Sequence, residues 1–331
     1  MKFGTTWQTK LTLLACTVLK MSTPAKSLSV SRAKFLSSGA ATFLTSAAVL
    51  ASDPEACEAV VGNDNPRYID RELEMKYAEG PDGNPRTRGI LARRYTGDST
   101  PYEFPVSPVR LVKEWPKDPN DAFRKEDFWR TDSIDDSSFY AVPRFVYHID
   151  EPAVASLTQF YRNNIKPKSD ILDICSSWVS HYPLEFPDTM GRISATGISP
   201  LELRFNDQLS DFKAKDLNND PTLPYEDNTF DVVTCVVSID YMIHPIEVIT
   251  EINRVLRPGG KVIISQSNRC FPSKAISMWL QMNDRQHLEL INGYCQYAGG
   301  FDEREAFDIT ATVPNNEYRD PMFIVTATKS K

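Results

Sequence analysis

The sequence lacks the cysteine pairs and the excess of basic residues that characterise several common classes of protein. Its six cysteines include no Cys-x-x-Cys pair and no spacing typical of metal ligands, so we expect neither a disulfide framework nor a structural metal site. The 37 Lys and Arg residues are outnumbered by 44 Asp and Glu residues, which gives a net charge of −7. Because nucleic-acid binders normally present a basic face, this balance argues against one.

Long apolar runs are also scarce, and the two clearest ones lie near the N-terminus. Residues 11–19 follow Lys2 and Lys10 and are too few to cross a bilayer. Residues 35–51 are marginal in length and rich in Ala, Ser and Thr, while residues 21–38 contain no acid, which is typical of organelle transit peptides. We predict that residues 1–60 are a targeting leader, and we expect no stable membrane span in the mature protein.

The order of these two runs resembles a two-part plastid leader of the kind that directs proteins to thylakoids. The predicted location is therefore a plastid, with thylakoid association as a further expectation. A single ordinary transit peptide with chance apolar patches stays open as an alternative, and with it a mitochondrial location.

Residues 61–140 form a region that is rich in Pro, Asp and Arg and poor in periodic apolar runs. Irregular segments of this length are usually lids, linkers or extensions that pack on a core. Aromatic residues become frequent toward its end; they are Phe123, Phe128, Trp129, Phe139 and Tyr140. We predict an extension without a core of its own, which packs on a domain formed by residues 141–331.

From residue 150 onward, predicted strands alternate with predicted helices. Asp150-Glu151-Pro152 supplies a cap, an acid and a proline for a helix start, and a second helix begins at His244-Pro245 and ends at residues 257–260. The predicted strands are residues 171–175, 193–198, 231–237, 261–265, 306–311 and 322–328. Because only a loop joins the last two strands, the expected fold is a doubly wound, Rossmann-like α/β sheet, mostly parallel with a C-terminal antiparallel hairpin.

Several short motifs follow one another in a fixed order along this domain. They are an apolar strand ending in Asp173, then Asp216-Leu217, Leu223-Pro224-Tyr225, Phe230-Asp231-Val232-Val233 and residues 251–260, which read Glu-Ile-Asn-Arg-Val-Leu-Arg-Pro-Gly-Gly. The ordered set resembles the class I S-adenosylmethionine-dependent methyltransferases, and within them the type 11 group. Residues 143–150, 173–181 and 267–275 resemble a subgroup of methyltransferase-like proteins from bacteria and algae.

The resemblance implies that S-adenosylmethionine is the cofactor and that it binds at the carboxyl ends of the strands. It implies that Asp173 orders the loop that holds the methionine part and that Asp216 accepts a hydrogen bond from the adenine amino group, with Leu217 or Asn218 completing the adenine contact. The remaining cofactor-binding candidates are Cys175, Ser176, Ser177, Gly197 and Glu202.

Two features depart from the family pattern. The first loop is normally Gly-rich, but residues 175–180 read Cys-Ser-Ser-Trp-Val-Ser. The acid that normally holds the ribose hydroxyls is replaced by residues 197–200, which read Gly-Ile-Ser-Pro, and Glu202 is the candidate substitute. We favour a subgroup with its own way of holding the cofactor; the alternative is a non-catalytic Rossmann-like binding or scaffold protein with a degenerate cofactor site.

Few polar residues lie near the expected cleft, and a general base is required only if the acceptor must lose a proton. The candidate catalytic residues are His148, His181, Asp240 and Tyr241, and the candidate substrate contacts are Arg144, Asp150, Trp178 and Arg269. Arg144 is a potential carboxylate or phosphate ligand, and Trp178 is a potential cation–π partner of the sulfonium. Packing or capping roles stay open for the histidines, and a core position stays open for Trp178.

We expect methyl transfer to a small-molecule acceptor, because an extension such as residues 61–140 is suited to covering a buried pocket. A protein acceptor stays open, as does the oligomeric state. A nicotinamide-dependent dehydrogenase is disfavoured, since no Gly-x-Gly-x-x-Gly motif follows the first predicted strand.

Overall fold

In a computed structural model that describes residues 102–331, a central sheet of eight strands organises the chain. The strands are β1 (Ser107–Pro108), β2 (Asp170–Ile174), β3 (Arg192–Gly197), β4 (Asp211–Ala214), β5 (Phe230–Val236), β6 (Leu256–Gln266), β7 (Phe301–Asp308) and β8 (Phe323–Lys329). Their order across the sheet is β1-β7-β8-β6-β5-β2-β3-β4. Strands β4, β3, β2, β5 and β6 pair in parallel, and β8, β7 and β1 pair antiparallel. The predicted fold class is confirmed.

Helices cover both faces of this sheet. They are α1 (Pro119–Ala122), α2 (Asp136–Phe139), α3 (Glu151–Asn164), α4 (Phe186–Thr189), α5 (Pro200–Arg204), α6 (Pro245–Val255), α7 (Ser277–Leu280) and α8 (Asp284–Ala298). Helix α3 begins where the sequence predicts, because the Asp150 side chain accepts a hydrogen bond from the Ala153 backbone at 3.1 Å. Helix α8 was not predicted, although Asn283 and Gln286 form a capping box at its start.

Two apolar clusters form the core, one on each side of the sheet. Alternate residues of β5 divide between them: Val233 packs with α6 and α8, whereas Val232 packs with α3. This alternation is what the period of two in a strand requires. The sheet is therefore buried on both faces, and its strand ends are the places where a ligand can reach it.

Residues 257–260 do not end a helix as predicted. Helix α6 already ends at Val255, and β6 begins at Leu256. Phe230 is paired with Leu256, whereas Val232 is paired with Lys261, so the intervening residues form an irregularity at the start of the strand. Gly259 adopts a φ of 79° there, a left-handed conformation that glycine tolerates readily.

The described part of the extension packs on the core. Strand β1 pairs antiparallel with β7, and Trp115, which is 9% exposed, packs on Phe123 with ring centroids 5.3 Å apart. A Cβ atom added to Gly293 in α8 would lie 2.5 Å from the Trp115 ring. The indole therefore occupies a site on the helix that only glycine leaves open.

The leader of residues 1–60 and the start of the extension lie outside the described residues, so the three-part division of the chain and the plastid location stay predictions. Between residues 102 and 331, none of the helices is both long and apolar enough to cross a membrane.

We predict that Gly293→Ala destabilises the protein, although the same change in an open helix position stabilises by about 1 kcal/mol. The new methyl group collides with Trp115, and overpacking of this kind costs about 1–3 kcal/mol. Urea denaturation measures the change. In a Trp115→Ala background the substitution should become neutral or stabilising, and a stabilising effect in the wild-type background would contradict the docking contact.

Candidate functional site

A cavity of about 340 Å³ lies at the carboxyl ends of β2, β3, β4 and β5, within the size range of small-molecule sites. The structure brings most of the predicted residues to its walls. These are Asp173, Cys175, Ser176, Ser177, Gly197, Glu202, Asp216, Leu217 and Asn218 from the cofactor candidates, and His148, His181, Tyr241 and Arg269 from the others. Their chemical roles stay predictions.

The loop after β2 turns without a glycine. Cys175 itself adopts a φ of 54°, in the left-handed region that costs a non-glycine residue about 1 kcal/mol or more. The Ser176 backbone then donates to the Thr196 carbonyl at 2.7 Å. The glycine is found instead on the neighbouring strand, where a Cβ atom at Gly197 would lie 2.1 Å from the Ser176 carbonyl oxygen.

Asp173 is a buried carboxylate at the base of the cavity, 2% exposed. Its Oδ1 accepts a hydrogen bond from Thr234 Oγ1 at 3.0 Å, and Thr234 in turn accepts from the Tyr182 hydroxyl at 2.5 Å. Burial raises the pKa of Asp173 to about 6, even though hydrogen bonds from Ser176 and Ser180 oppose the shift. A cationic ligand beside this buried carboxylate would stabilise its charged form and lower its pKa.

Glu202 lies in the first turn of α5 and is 3% exposed. Ser177 Oγ donates to its Oε2 at 2.6 Å, and the Arg144 backbone donates to its Oε1 at 2.8 Å. Burial raises the pKa of Glu202, and these hydrogen bonds oppose the rise. The cavity wall around Gly197 therefore has an acid, although it comes from the helix after β3 rather than from the strand end.

Asp216 and Asn218 shape the loop after β4. The Asp216 carboxylate accepts from the Asn218 backbone and from Asn219 Nδ2, both at 2.9 Å, and burial raises its pKa. Asn218 Nδ2 donates to Asp136 Oδ2 at 2.8 Å and to the Tyr241 carbonyl at 2.9 Å. The loop after β4 is therefore held by the extension, through Asp136, and by the loop after β5, through Tyr241.

Two neutral histidines line the cavity. His181 is 5% exposed, and its Nδ1 has no hydrogen-bond partner among residues 102–331. Burial lowers the pKa of His181 to about 3 and that of His148 to about 4, and the charge of Arg144 contributes to the second shift. Both imidazoles are uncharged at neutral pH and keep a lone pair.

Tyr241 and Arg269 complete the predicted part of the wall. The Tyr241 hydroxyl accepts a hydrogen bond from the Phe271 backbone at 2.8 Å, and burial raises its pKa. Arg269 Nε donates to Asp320 Oδ1 at 2.7 Å, which ties this wall to the loop between β7 and β8.

Two predicted polar residues are not among the residues that line the cavity. Asp240 is buried beside Tyr241 in the turn Ile239–Tyr241, and of the two only Tyr241 lines the cavity. Asp150 caps α3, and it exchanges two hydrogen bonds with Asp320, in which the backbone N–H of each residue donates to the carboxylate of the other, at 2.9 and 2.6 Å. The catalytic role predicted for Asp240 and the substrate role predicted for Asp150 stay predictions.

Arg144 and Trp178 also lie outside the cavity lining. The Arg144 guanidinium stacks over Phe139, 4.1 Å from the ring centroid. Trp178 belongs to the core, where its Nε1 donates to the Val146 carbonyl at 3.2 Å and its ring packs on Tyr147 at 5.2 Å. Aromatic neighbours contact both side chains, and the anion contact predicted for Arg144 and the sulfonium contact predicted for Trp178 stay predictions.

Sequence reasoning missed the contribution of the extension. Arg130, Asp136 and Tyr140 line the cavity, as does Lys274 from the loop after β6. The aromatic residues of the extension predicted that it docks, but no local pattern marked these polar residues. Val237, also on the wall, adopts a φ of 38°, a strained conformation for a β-branched residue and one that often occurs at functional sites.

Comparison with known proteins finds a similarity to methyltransferases. Residues 184–264 match a family described as methyltransferase domain. Demethylmenaquinone methyltransferase of Bacillus mycoides (strain KBAB4) is 30% identical over 120 residues, which cover 32% of this chain and 48% of that protein. The chain is therefore similar to methyltransferases over this part of its length. It spans about half the length of the curated relatives it matches, and the bacterial and algal subgroup stays a prediction.

Solved structures of methyltransferases align with about half of the chain. An S-adenosylmethionine-dependent methyltransferase from Mesorhizobium loti is 14% identical with a TM-score of 0.36, covering 54% of this chain and 98% of its own. Phosphoethanolamine N-methyltransferase 2 of Haemonchus contortus, in complex with S-adenosylmethionine, is 16% identical with a TM-score of 0.39, covering 53% and 52%.

We predict that Asp173→Asn makes the ligand-free protein more stable at pH 7. Because the folded pKa of about 6 exceeds the ordinary value of 3.8, the contribution of Asp173 to stability is full below pH 4 and falls as the pH rises to 6. Asp173→Asn removes this pH-dependent loss of folding stability, which is at most about 3 kcal/mol.

Urea denaturation of both proteins between pH 4 and pH 8 measures the difference. Asp170→Asn, at the opposite end of the same strand, is the matched control, since Asp170 forms a partly exposed pair with Arg257 and should change stability by about 1 kcal/mol or less. A constant difference between Asp173→Asn and wild type over this pH range would contradict the account.

Proposed function

We propose that this protein transfers a methyl group from S-adenosylmethionine to a small-molecule acceptor. The observation that carries the proposal is the convergence of Asp173, Glu202 and Asp216, which follow or end three neighbouring parallel strands and line one cavity. The family match over residues 184–264 supports methyl transfer.

The residues present fit this cofactor. S-adenosylmethionine offers hydrogen-bond donors at its ammonium group, its ribose hydroxyls and its adenine amino group. Asp173, Glu202 and Asp216 would each hold one of them, in that order, and three carboxylates in one cavity are otherwise costly to bury. The loop at Cys175 supports the interpretation of a subgroup with its own solution, because it reaches a left-handed turn without glycine.

The bound sulfonium supplies an activated methyl group, so the protein's main task is to position the acceptor. His181 and His148 line the cavity, and either would take a proton from an acceptor hydroxyl. Because their pKa values are about 3 and about 4, they are too weakly basic to ionise the acceptor beforehand. Proton removal would therefore accompany methyl transfer, as in general-base catalysis.

Isothermal titration with S-adenosylmethionine and S-adenosylhomocysteine tests the cofactor site. We expect the wild-type protein to bind both, and Glu202→Gln and Asp216→Asn to weaken binding about tenfold, since each loses a charged hydrogen-bond acceptor. Glu247→Gln, at an exposed position of α6, should bind as the wild type does. A folded wild-type protein that binds neither ligand would contradict the proposal and favour the non-catalytic binding or scaffold protein.

We predict that His148→Ala and His181→Ala each lower turnover about 100-fold without unfolding the protein. Transfer of a radiolabelled methyl group to a panel of acceptors measures turnover; the panel spans demethylmenaquinone, after the curated relatives, and hydroxylated aromatic acids. His244→Ala is the control, because His244 is exposed and does not line the cavity. Full activity in both cavity variants would eliminate the general-base role.

A further inference from the structure

A buried ionic cluster between the extension and the loop after β6 forms part of the cavity wall. It consists of Arg130, Asp136 and Lys274, whose side chains are 7%, 5% and 3% exposed. Arg130 Nη1 lies 2.8 Å from Asp136 Oδ2, and Lys274 Nζ lies 3.1 Å from Asp136 Oδ1. All three residues line the cavity, and we refer to them as the strap cluster.

The strap cluster has two cations for one fully buried anion. Lys274 also lies 3.3 Å from Asp132 and donates to the Ile134 carbonyl at 2.6 Å. The Asp132 side chain is 28% exposed, so water already screens part of its charge. Asp136 and Asp132 match the two cations in number, but Asp132 pairs only with Lys274, so Arg130 shares the Asp136 carboxylate with Lys274.

The Arg130 guanidinium uses only one of its three nitrogens as a hydrogen-bond donor among the described residues. Its Nη1 makes both contacts with Asp136, at 3.0 and 2.8 Å, whereas Nε and Nη2 make no hydrogen bond within residues 102–331. These two nitrogens form the edge of a guanidinium that matches a carboxylate or phosphate with two parallel hydrogen bonds. Since the side chain is buried in the cavity wall, a ligand in the cavity is the partner within reach.

The pairing of the cavity's basic residues points the same way. They are Arg130, Lys215, Arg269 and Lys274. Lys215, Arg269 and Lys274 each pair with an acid outside the cavity lining, namely Asp220, Asp320 and Asp132. Arg130 pairs only with Asp136 among the described residues, so it is the cation best placed to take an anionic ligand.

We propose that the methyl acceptor carries an anionic oxygen group, a carboxylate or a phosphate, which Arg130 binds through Nε and Nη2 while Asp136 holds the guanidinium in place. The inference rests on the proposed function, because it concerns the acceptor of that methyl transfer. Tyr140 and Phe271 line the same cavity, which suits an acceptor whose anionic group is attached to an aromatic ring.

Titration of the S-adenosylhomocysteine-saturated protein with benzoate, phenyl phosphate and the neutral benzamide tests the inference. We expect the wild type to bind at least one anionic probe about tenfold more tightly than benzamide. Arg130→Gln should remove this preference. Arg124→Gln should keep it, because the Arg124 side chain is in the same segment but 80% exposed. Equal binding of all three probes by the wild type, or a preference that survives Arg130→Gln, would overturn the inference.

Arg130→Lys is a second variant, for the case that Arg130→Gln does not fold. It keeps the positive charge beside Asp136 and loses only the guanidinium edge formed by Nε and Nη2. We expect it to bind benzoate at least threefold more weakly than the wild type, and unchanged affinity would count against the inference. The preceding titration with S-adenosylhomocysteine separates the two proposals. If that ligand fails to bind, the proposed function fails; if it binds and the anion preference is absent, only this inference fails.

Discussion

The parallel pairing of β2 with β3 and β5 determines where the site lies. It brings the carboxyl ends of neighbouring strands to one edge of the sheet, where loops rather than helices cover the ends. Asp173 reaches the cavity from β2 itself, and Glu202 reaches it from the first turn after β3. The extension then supplies the opposite wall through Arg130, so that the cavity has a polar group on every side.

The function of a Gly-rich loop is divided here between two positions. Cys175 adopts the left-handed conformation that a glycine would otherwise provide, and Gly197 provides the close approach between neighbouring strands. Strain at Cys175 and Val237, together with the burial of Asp173, makes this part of the structure costly to fold. A cation-bearing ligand would offset part of that cost.

Local signals made much of the fold predictable. Helix α3 and strands β2, β3, β5 and β8 lie within one residue of their predicted ranges, whereas β6 and β7 each begin five residues earlier than predicted. Hydrogen bonds to distant residues could not be predicted: Asp150 pairs with Asp320, and Trp178 with Val146. Arg130 was missed for the same reason, because its position depends on docking of the extension, which no short pattern encodes.

Hydrogen–deuterium exchange with and without S-adenosylhomocysteine tests most directly whether strand ends and extension form one ligand site. The account predicts slower amide exchange on ligand addition in residues 175–180 and 216–219, and also in residues 130–140 of the extension, while helix α8 remains unchanged. Unchanged exchange in all of these segments, or slowing confined to a part of the chain away from the cavity, would contradict it.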